Sequence, residues 1–336
     1  MTNAVKQIEA IESRSAGVPS RPTRSGLNIT VLHGGIGPER EVSLQSGIAV
    51  AEALTRRGHS AVLCDLTPDR LDGLDRVGDL AFIALHGAFG EDGTLQRELD
   101  GRGIRYCGAD GPSSLLAMDK VATKKRCIEA GIPTPPYEVV AAARRSEGSA
   151  FAPTRVQPPA VVKPVDSGSS VDTFICRTPQ SLTDAVDRVA DRYGRAMVEA
   201  YVQGPELTVG ILNGQALPVC QIRTRREFYD YQAKYIDDDT EYLFDIDLPA
   251  ATLLRVQELS RQAFDALGCR DFGRVDWMVD ASTGTPYFLE VNTIPGFTSH
   301  SLLPKAAARV GLSFDDLCQQ IVELTLRRPA AGRVHA

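Results

Sequence analysis

The sequence predicts a mixed fold, with a parallel α/β unit followed by α+β structure. Strands and helices alternate over residues 27–108, as in a small parallel sheet with helices on its faces. Short strands separated by turn residues dominate from about residue 155 onward, which indicates antiparallel sheets. A chain of 336 residues is long enough for two or three domains.

Composition and charge exclude several classes of protein. The chain carries 37 Lys and Arg against 43 Asp and Glu, a net charge of −6, which argues against nucleic acid as a partner. No apolar run reaches the roughly 18 residues of a membrane span, so we expect no membrane partner. The seven cysteines are widely spaced, which predicts reduced thiols in a cytoplasmic protein. Residues 1–26 are polar and lack the apolar core of a signal peptide, and we expect a disordered extension there.

The first elements follow one another in the order strand, turn, helix. The apolar run LNITVLHGG ends in glycines, and apolar residues at helical spacing follow it before another glycine. Strands come next at SAVLCDL and DLAFIALHG, then a short helix and a strand at IRYCG. The pattern predicts strands over 27–35, 60–66, 79–87 and 104–108, with helices over 39–58 and 91–103.

The later elements are shorter and more regularly punctuated by turns. Predicted strands lie at 161–164, 173–177, 196–202, 206–214, 215–224, 273–280 and 285–293, and predicted helices at 118–131, 179–194, 251–269 and 313–328. The aromatic and charged segment 223–242 shows no clean period.

Two glycine-rich loops follow predicted strands. In HGGIGPEREVS, Glu39 and Glu41 favour an ammonium ligand or capping of the helix dipole over a phosphate, and a purely structural turn is an equal alternative. In LHGAFGEDGTLQ, His86 lies at the carboxyl end of a strand, where ligands bind in parallel sheets. A structural histidine is the alternative there.

Two further segments carry charge toward a possible ligand. Lys163 ends a strand in VVKPVDSGSS, and the small residues that follow suit nucleotide phosphates, although a solvated hairpin would look the same. Asp276, Glu290 and Asn292 can share one face of a strand pair, as expected for Mg²⁺ between protein and phosphates or for a solvent-facing sheet. The next loop contains Gly296, whose N–H could serve an oxyanion.

The order of these motifs resembles one family. HGGIGPEREVSLQSG, LHGAFGEDGTLQ, MDK, VVKPVDSGSSV, GPELTV, FYDYQAKY, GRVDWM and EVNTIPGFTSHSL are similar to the motifs of the D-alanyl-D-alanine ligases of the ATP-grasp superfamily. The likeness covers about residues 27–326. It implies an ATP-grasp fold, in which an N-terminal Rossmann-like parallel α/β domain precedes two α+β domains that clamp ATP.

The resemblance implies ligation of two D-alanines to D-alanyl-D-alanine, a peptidoglycan precursor, with ATP as substrate and an acyl phosphate as intermediate. The alternatives are a related ligase that takes D-lactate or D-serine second, another carboxylate–amine ligase, and a catalytically idle nucleotide-binding homologue. Tyr235 in the AKY motif goes with D-alanine as the second substrate.

Roles for individual residues also come from the resemblance. Glu39 would bind the first ammonium, with Ser169 and Tyr235 holding loops closed and His86 beside the substrate. Arg274 and Gly296 would form an oxyanion hole, and Ser301 and Leu302 would receive the second carboxylate. ATP would be bound by Lys120, Lys163, Ser170, Glu199, Glu206 and Lys234. Two Mg²⁺ ions, for which Mn²⁺ can substitute, would be held by Asp276, Glu290 and Asn292.

The resemblance further implies three domains, over residues 27–108, 109–198 and 199–330, with a lid at 223–242. Homodimers are usual in that family. The sequence departs from the family pattern at Asp172, where glycine is usual after GSSV, and at Ala200, where a long polar side chain is usual. We expect Asp172 to add negative charge beside the phosphate loop and so to alter ATP affinity or loop closure.

Overall fold

The computed structural model describes residues 24–142, 155–225, 239–298 and 301–328. Its first sheet is parallel, as the alternating pattern predicts, with β1 between the other two strands. The predicted strand at 104–108 is wrong, because only Tyr106 makes a bridge there, to Ala81. The first unit contains β1 (Asn28–Gly34), α1 (Arg40–Arg56), β2 (Ser60–Leu66), β3 (Leu80–Ile83) and α2 (Thr94–Gly101).

A second sheet of four antiparallel strands runs in the order β4-β7-β5-β6. The connecting helices begin at side-chain caps: Asp119 accepts hydrogen bonds from two backbone N–H groups of α4, and Thr178 forms a capping box with Ser181. The elements are α3 (Gly111–Met118), α4 (Lys120–Glu129), β4 (Tyr137–Ala141), β5 (Ala160–Pro164), β6 (Phe174–Cys176), α5 (Pro179–Tyr193) and β7 (Arg195–Ala200).

The third sheet is also antiparallel and follows the order β11-β10-β8-β12-β13, with β9 paired to β8. Helix α6 covers one face, where Trp277 and Phe288 are fully buried with ring centroids 5.7 Å apart. The elements are β8 (Glu206–Leu212), β9 (Gln215–Ala216), β10 (Cys220–Arg223), β11 (Glu241–Leu243), α6 (Ala250–Ala266), β12 (Phe272–Val279), β13 (Pro286–Asn292), α7 (Leu302–Ala308) and α8 (Phe314–Arg327).

An aromatic cluster joins the first sheet to the third. Phe297 lies edge-on to Phe82 of β3 at 5.4 Å and to Phe272 of β12 at 5.5 Å, and all three rings are fully buried. Edge-to-face aromatic packing of this kind fixes the relative position of the groups that carry it. The cluster therefore anchors the loop after β13, which contains Gly296.

Three domains remain a prediction. Strand β7, Arg195–Ala200, runs across the proposed boundary between residues 198 and 199. Residues 1–23, most of the predicted N-terminal extension, lie outside the described residues. In the part of the chain that the structure describes, no helix combines the length and apolar character needed to cross a membrane.

Candidate active site

A cavity of about 350 Å³ lies between the second and third sheets, and many predicted ligand residues meet there. Strand β5 brings a lysine to one wall, and β12 and β13 bring carboxylates to the other. The predicted residues that line this cavity are Lys120, Lys163, Ser170, Glu199, Glu206, Asp276 and Glu290. A smaller cavity beside it shares Lys120 and Glu290 and adds Asn292.

Arg274 and Asp276 form a paired ion contact on the cavity face of β12. The guanidinium donates from Nε to Oδ1 at 3.0 Å and from Nη2 to Oδ2 at 2.9 Å. Two residues on the neighbouring strands also donate hydrogen bonds to the Asp276 carboxylate. The Thr208 hydroxyl of β8 donates at 2.6 Å, and the Asn292 amide of β13 donates at 2.9 Å. This network holds the Arg274 side chain, 13% exposed, at the edge of the site.

The donor set on this face fits Mg²⁺. Glu290 stands opposite Asp276 in the register of β12 and β13. The Asn292 amide nitrogen donates to Asp276, so the amide oxygen is the atom of that side chain that can act as a ligand. Two carboxylates and an amide oxygen are hard ligands of the kind that Mg²⁺ prefers.

A buried ion network lies on the opposite wall. Glu199 of β7 accepts from Lys163 at 2.7 Å through Oε2 and pairs with Lys124 of α4 through Oε1. Burial alone would raise the pKa of Glu199, but the two ammonium groups outweigh burial and hold this pKa below its usual value. Lys120 lies one helical turn before Lys124, where its ammonium donates to the Ser167 carbonyl and stands 3.8 Å from Glu290.

Glu39 directly precedes α1 but does not cap it with its side chain. It occupies the N-cap position of α1, yet its side chain makes no capping hydrogen bond. The Ser169 hydroxyl donates to Oε1 of Glu39 instead. Gly87 lies directly against Oε2, where a Cβ would collide with the carboxylate. Glycine is therefore required at position 87, in the loop LHGAFGEDGTLQ, for this loop to approach Glu39 closely.

His86 is neutral and fully engaged. Its Nδ1 lies 3.0 Å from the Ile294 carbonyl, which can only accept, so Nδ1 carries the proton. Its Nε2 therefore accepts from the Ser46 hydroxyl at 3.1 Å. Burial lowers the pKa of His86, consistent with this neutral tautomer. The histidine thus ties the loop after β3 to the loop after β13.

Gly296 and Ser301 are in close contact. A Cβ on Gly296 would lie 2.5 Å from the Ser301 Oγ, so this position admits no side chain without a shift. Ser301 also accepts from the Thr298 N–H at 2.9 Å, immediately before Leu302 begins α7. The predicted Lys234 and Tyr235 and most of the predicted lid lie outside the described residues.

Known proteins resemble this chain over nearly its whole length. A model of the family described as "D-ala D-ala ligase C-terminus" matches residues 127–323. A D-alanine–D-alanine ligase from Syntrophotalea carbinolica is 45% identical over 88% of this chain and 94% of the relative. The chain belongs to the D-alanine–D-alanine ligase family.

Solved structures of this ligase family share the fold. The D-alanine–D-alanine ligase from Bacillus anthracis, crystallised with ATP, is 35% identical and superposes with a TM-score of 0.77 over 90% of this chain and 98% of its own. The VanG D-Ala:D-Ser ligase from Enterococcus faecalis is 28% identical, with a TM-score of 0.75 over 90% of this chain and 100% of its own. The predicted ATP-grasp fold is confirmed.

Asp172, the departure from the ligase family pattern, lies in the loop after β5, and its carboxylate contacts α5. Its carboxylate accepts from Arg192 and from the Tyr193 hydroxyl, each at 2.8 Å, and Arg188 lies 3.7 Å away. Exposed arginines in the C-terminal turns of α5 pair with the added carboxylate, and its expected effect on ATP affinity or loop closure stays a prediction. Asp172 anchors the loop to α5, at a φ of +50° that a glycine would adopt more readily.

Sequence reasoning missed three members of this ligase site. Glu91 accepts from the Gly87 N–H at 3.1 Å, and burial, followed by the charge of Glu39, raises the pKa of Glu91 well above its usual value. Thr208 could have been found from its register opposite Asp276. Lys124 could have been found from its spacing, since residues four apart share one face of a helix.

Proposed function

We propose that this chain joins two D-alanines to D-alanyl-D-alanine and converts ATP to ADP and phosphate. One observation carries the proposal: a single cavity places the lysines of α4 and β5 opposite the carboxylates of β12 and β13. Ser169 donates to Glu39, and its chain neighbours Ser170 and Gly168 line the larger and the smaller cavity. Cations, carboxylates and small loop residues suit phosphoryl transfer without a protein nucleophile.

In the first step, a carboxylate oxygen of one D-alanine attacks the γ-phosphorus of ATP, and ADP leaves. Glu39 binds the ammonium of that D-alanine, and His86 lies beside it. Lys120 and Lys163 neutralise the phosphates. Lys234, which lies outside the described residues, is proposed to join them. Ser170 contacts the phosphates, and Glu199 and Glu206 contact the nucleoside.

In the second step, the amine of the other D-alanine, after losing a proton, attacks the acyl phosphate carbon, and inorganic phosphate leaves. Arg274 and the Gly296 N–H stabilise the oxyanion of the tetrahedral intermediate. Ser301 and Leu302 receive the carboxylate of the attacking D-alanine. The lid around Tyr235 excludes water, which would otherwise hydrolyse the acyl phosphate.

The metal ligands in this proposal are Asp276, Glu290 and Asn292, which would hold two Mg²⁺ ions, or Mn²⁺ in their place. Bound there, the ions would neutralise the negative charge of the phosphates during transfer. The Asn292 amide and the Thr208 hydroxyl each donate a hydrogen bond to Asp276, and these two bonds orient its carboxylate.

The proposal also covers the location, the oligomeric state and the domain division of the protein. We place the protein in the cytoplasm, as the composition predicts, and we propose a homodimer and the three-domain division. D-Serine as second substrate is the alternative with a named structural relative, the D-Ala:D-Ser ligase. The tyrosine at 235 supports D-alanine against D-lactate.

Phosphate release from ATP tests the proposed function. The purified chain is incubated with ATP and Mg²⁺ near neutral pH, with D-alanine alone, L-alanine alone, or D-alanine together with D-lactate or D-serine. We expect release with D-alanine alone and little with L-alanine. Greater release in a mixture containing D-lactate or D-serine would overturn D-alanine as the second substrate, and no release in any arm would overturn the ligase.

A further inference from the structure

Lys124 is a fully buried lysine behind the wall of the ATP cavity. Its side chain is 0% exposed and lies behind Glu199, whose other oxygen faces Lys163. The Lys124 ammonium also donates to the Phe288 carbonyl of β13 at 3.2 Å. A single lysine of α4 therefore contacts β7 of the second sheet and β13 of the third.

The strand register makes Glu199 the natural partner of Lys163. On the paired strands β5 and β7, Glu199 stands opposite Val161, and Lys163 stands opposite Met197, so the two side chains are diagonal neighbours on one face. Lys163 is 11% exposed and lines the cavity. A lone Glu199 beside it would form a neutral pair and cancel the charge that faces the ligand.

Two lysines against one carboxylate leave one net positive charge. Lys124 forms an ion pair with one oxygen of Glu199 from behind, and Lys163 pairs with the other from the cavity side. Burial lowers the pKa of Lys124 below its usual value, and the charge of Glu199 only partly offsets this effect. Both contacts of its nitrogen, the Glu199 carboxylate and the Phe288 carbonyl, are acceptors, as suits an ammonium group. The network as a whole thus keeps a positive charge at the cavity wall.

Stability alone is a poor reason for this arrangement. Replacing buried ion pairs by apolar side chains of similar size is often neutral or stabilising, because desolvating the charges costs more than their attraction returns. Apolar residues already surround this part of α4, with Cys127 fully buried one turn beyond Lys124. Apolar side chains in place of the whole network would therefore cost the fold little stability.

We propose that Lys124 is a positioning residue for ATP: it neutralises Glu199 from behind and so leaves the charge of Lys163 for the phosphates. The inference rests on the proposed ATP-dependent function. It predicts a much larger effect of Lys124 on the phosphate part of the nucleotide than on the nucleoside part, which Glu199 itself contacts in the proposed function.

A double-mutant cycle tests this role. Lys124→Met is made in the wild-type chain and in a Glu199→Gln chain, and each protein is assayed for kcat, for KM of ATP and D-alanine, and for binding of ATP and of adenosine. We expect Lys124→Met in the wild-type chain to raise KM for ATP about tenfold or more. We expect kcat, KM for D-alanine and adenosine binding to change by less than about threefold.

The effect should shrink when Glu199 is neutral. In the Glu199→Gln background, Lys163 has no carboxylate to pair with, so Lys124→Met should change KM for ATP by less than about threefold. Lys125→Met, at the neighbouring exposed position of α4, is the matched control and should leave all constants unchanged. Lys124→Gln keeps hydrogen-bond donors and removes only the charge, and it should reproduce the methionine result if Lys124→Met does not fold.

The outcomes separate this inference from the function itself. An equal rise in KM for ATP in both backgrounds, an equal loss of ATP and adenosine binding, or an unchanged KM for ATP would each overturn the role of Lys124. Failure of the wild-type chain to bind ATP at all would instead overturn the proposed function. Wild-type ATP binding with an unaffected Lys124→Met variant would overturn this inference alone.

Discussion

Ser169 donates its hydroxyl hydrogen to the Glu39 carboxylate and so joins two loops 130 residues apart in the chain. Glu39 is the N-cap residue of α1, and Ser169 lies in the loop after β5 with a φ of +53°. A non-glycine residue in this backbone region is uncommon and persists where its surroundings hold it. The contact closes the phosphate loop over the place proposed for the first D-alanine.

The Glu39 carboxylate should be needed for its charge. We expect Glu39→Gln to lower kcat/KM for D-alanine about 10²-fold, because a charged hydrogen bond to the substrate ammonium is lost. Glu41→Gln is the matched control: Glu41 is exposed in the same first turn of α1, and its loss should change kcat/KM by less than about twofold. Equal effects of the two substitutions would remove Glu39 from the substrate site.

Arg274 should be needed for turnover. Arg274→Ala removes a proposed oxyanion donor and the paired contact to Asp276, and we expect kcat to fall roughly 10²-fold or more. Arg274→Lys should not restore it, because an ammonium cannot reproduce the two-point contact. Steady-state phosphate release measures both. Arg261→Ala, which affects a surface pair on α6, is the control, and an Arg274→Ala enzyme with wild-type kcat would contradict the assigned role.

Asp172 should contribute weakly to the position of the loop after β5, and so to ATP binding. Its partners Arg188 and Arg192 are 64% and 63% exposed, so solvent screens the contacts, and we expect Asp172→Ala to raise KM for ATP about two- to fivefold. Arg192→Ala should have a similar effect, and the double variant should be no worse than either single one. Additive effects of the two substitutions would show that Asp172 does not act through Arg192.

Thiol labelling should find one accessible cysteine. All seven cysteines are free and lie in described segments, and only Cys64 on β2 is partly exposed. Burial raises the pKa of Cys127, Cys220 and Cys269 to about 12, so these thiols stay protonated and unreactive at pH 8. We expect about one equivalent of an aromatic disulfide reagent to react with the native protein and about seven after unfolding. Rapid reaction of several thiols in the native protein would contradict the described packing.

The local pattern of the sequence was sufficient for most elements. The run LNITVLHGG predicted a strand at 27–35, and β1 spans Asn28–Gly34. Periodicity likewise placed α5, predicted at 179–194 and found at Pro179–Tyr193. The strand predicted at 104–108 failed because its short apolar run pairs with the sheet at Tyr106 alone.

Sequence reasoning predicted the site less well where contacts between residues far apart in the chain determine a residue's role. Spacing places Lys124 on the same face of α4 as Lys120, but nothing within VATKKRC shows that its partner is Glu199, because that residue lies on another element. The direction of the Asp172 carboxylate likewise depends on Arg192 and Tyr193, twenty residues later. Motif order supplied the candidate residues, and tertiary contacts supplied their partners.

Transfer of oxygen from D-alanine to phosphate tests the proposed reaction most directly. The enzyme is given ATP, Mg²⁺ and D-alanine labelled with oxygen-18 in its carboxylate, and both products are analysed by mass spectrometry. We expect each D-alanyl-D-alanine formed to be accompanied by one phosphate carrying one labelled oxygen, because the carboxylate oxygen that attacks the γ-phosphorus leaves with it. Dipeptide formed with unlabelled phosphate would contradict the acyl phosphate, and the absence of dipeptide would contradict the ligase.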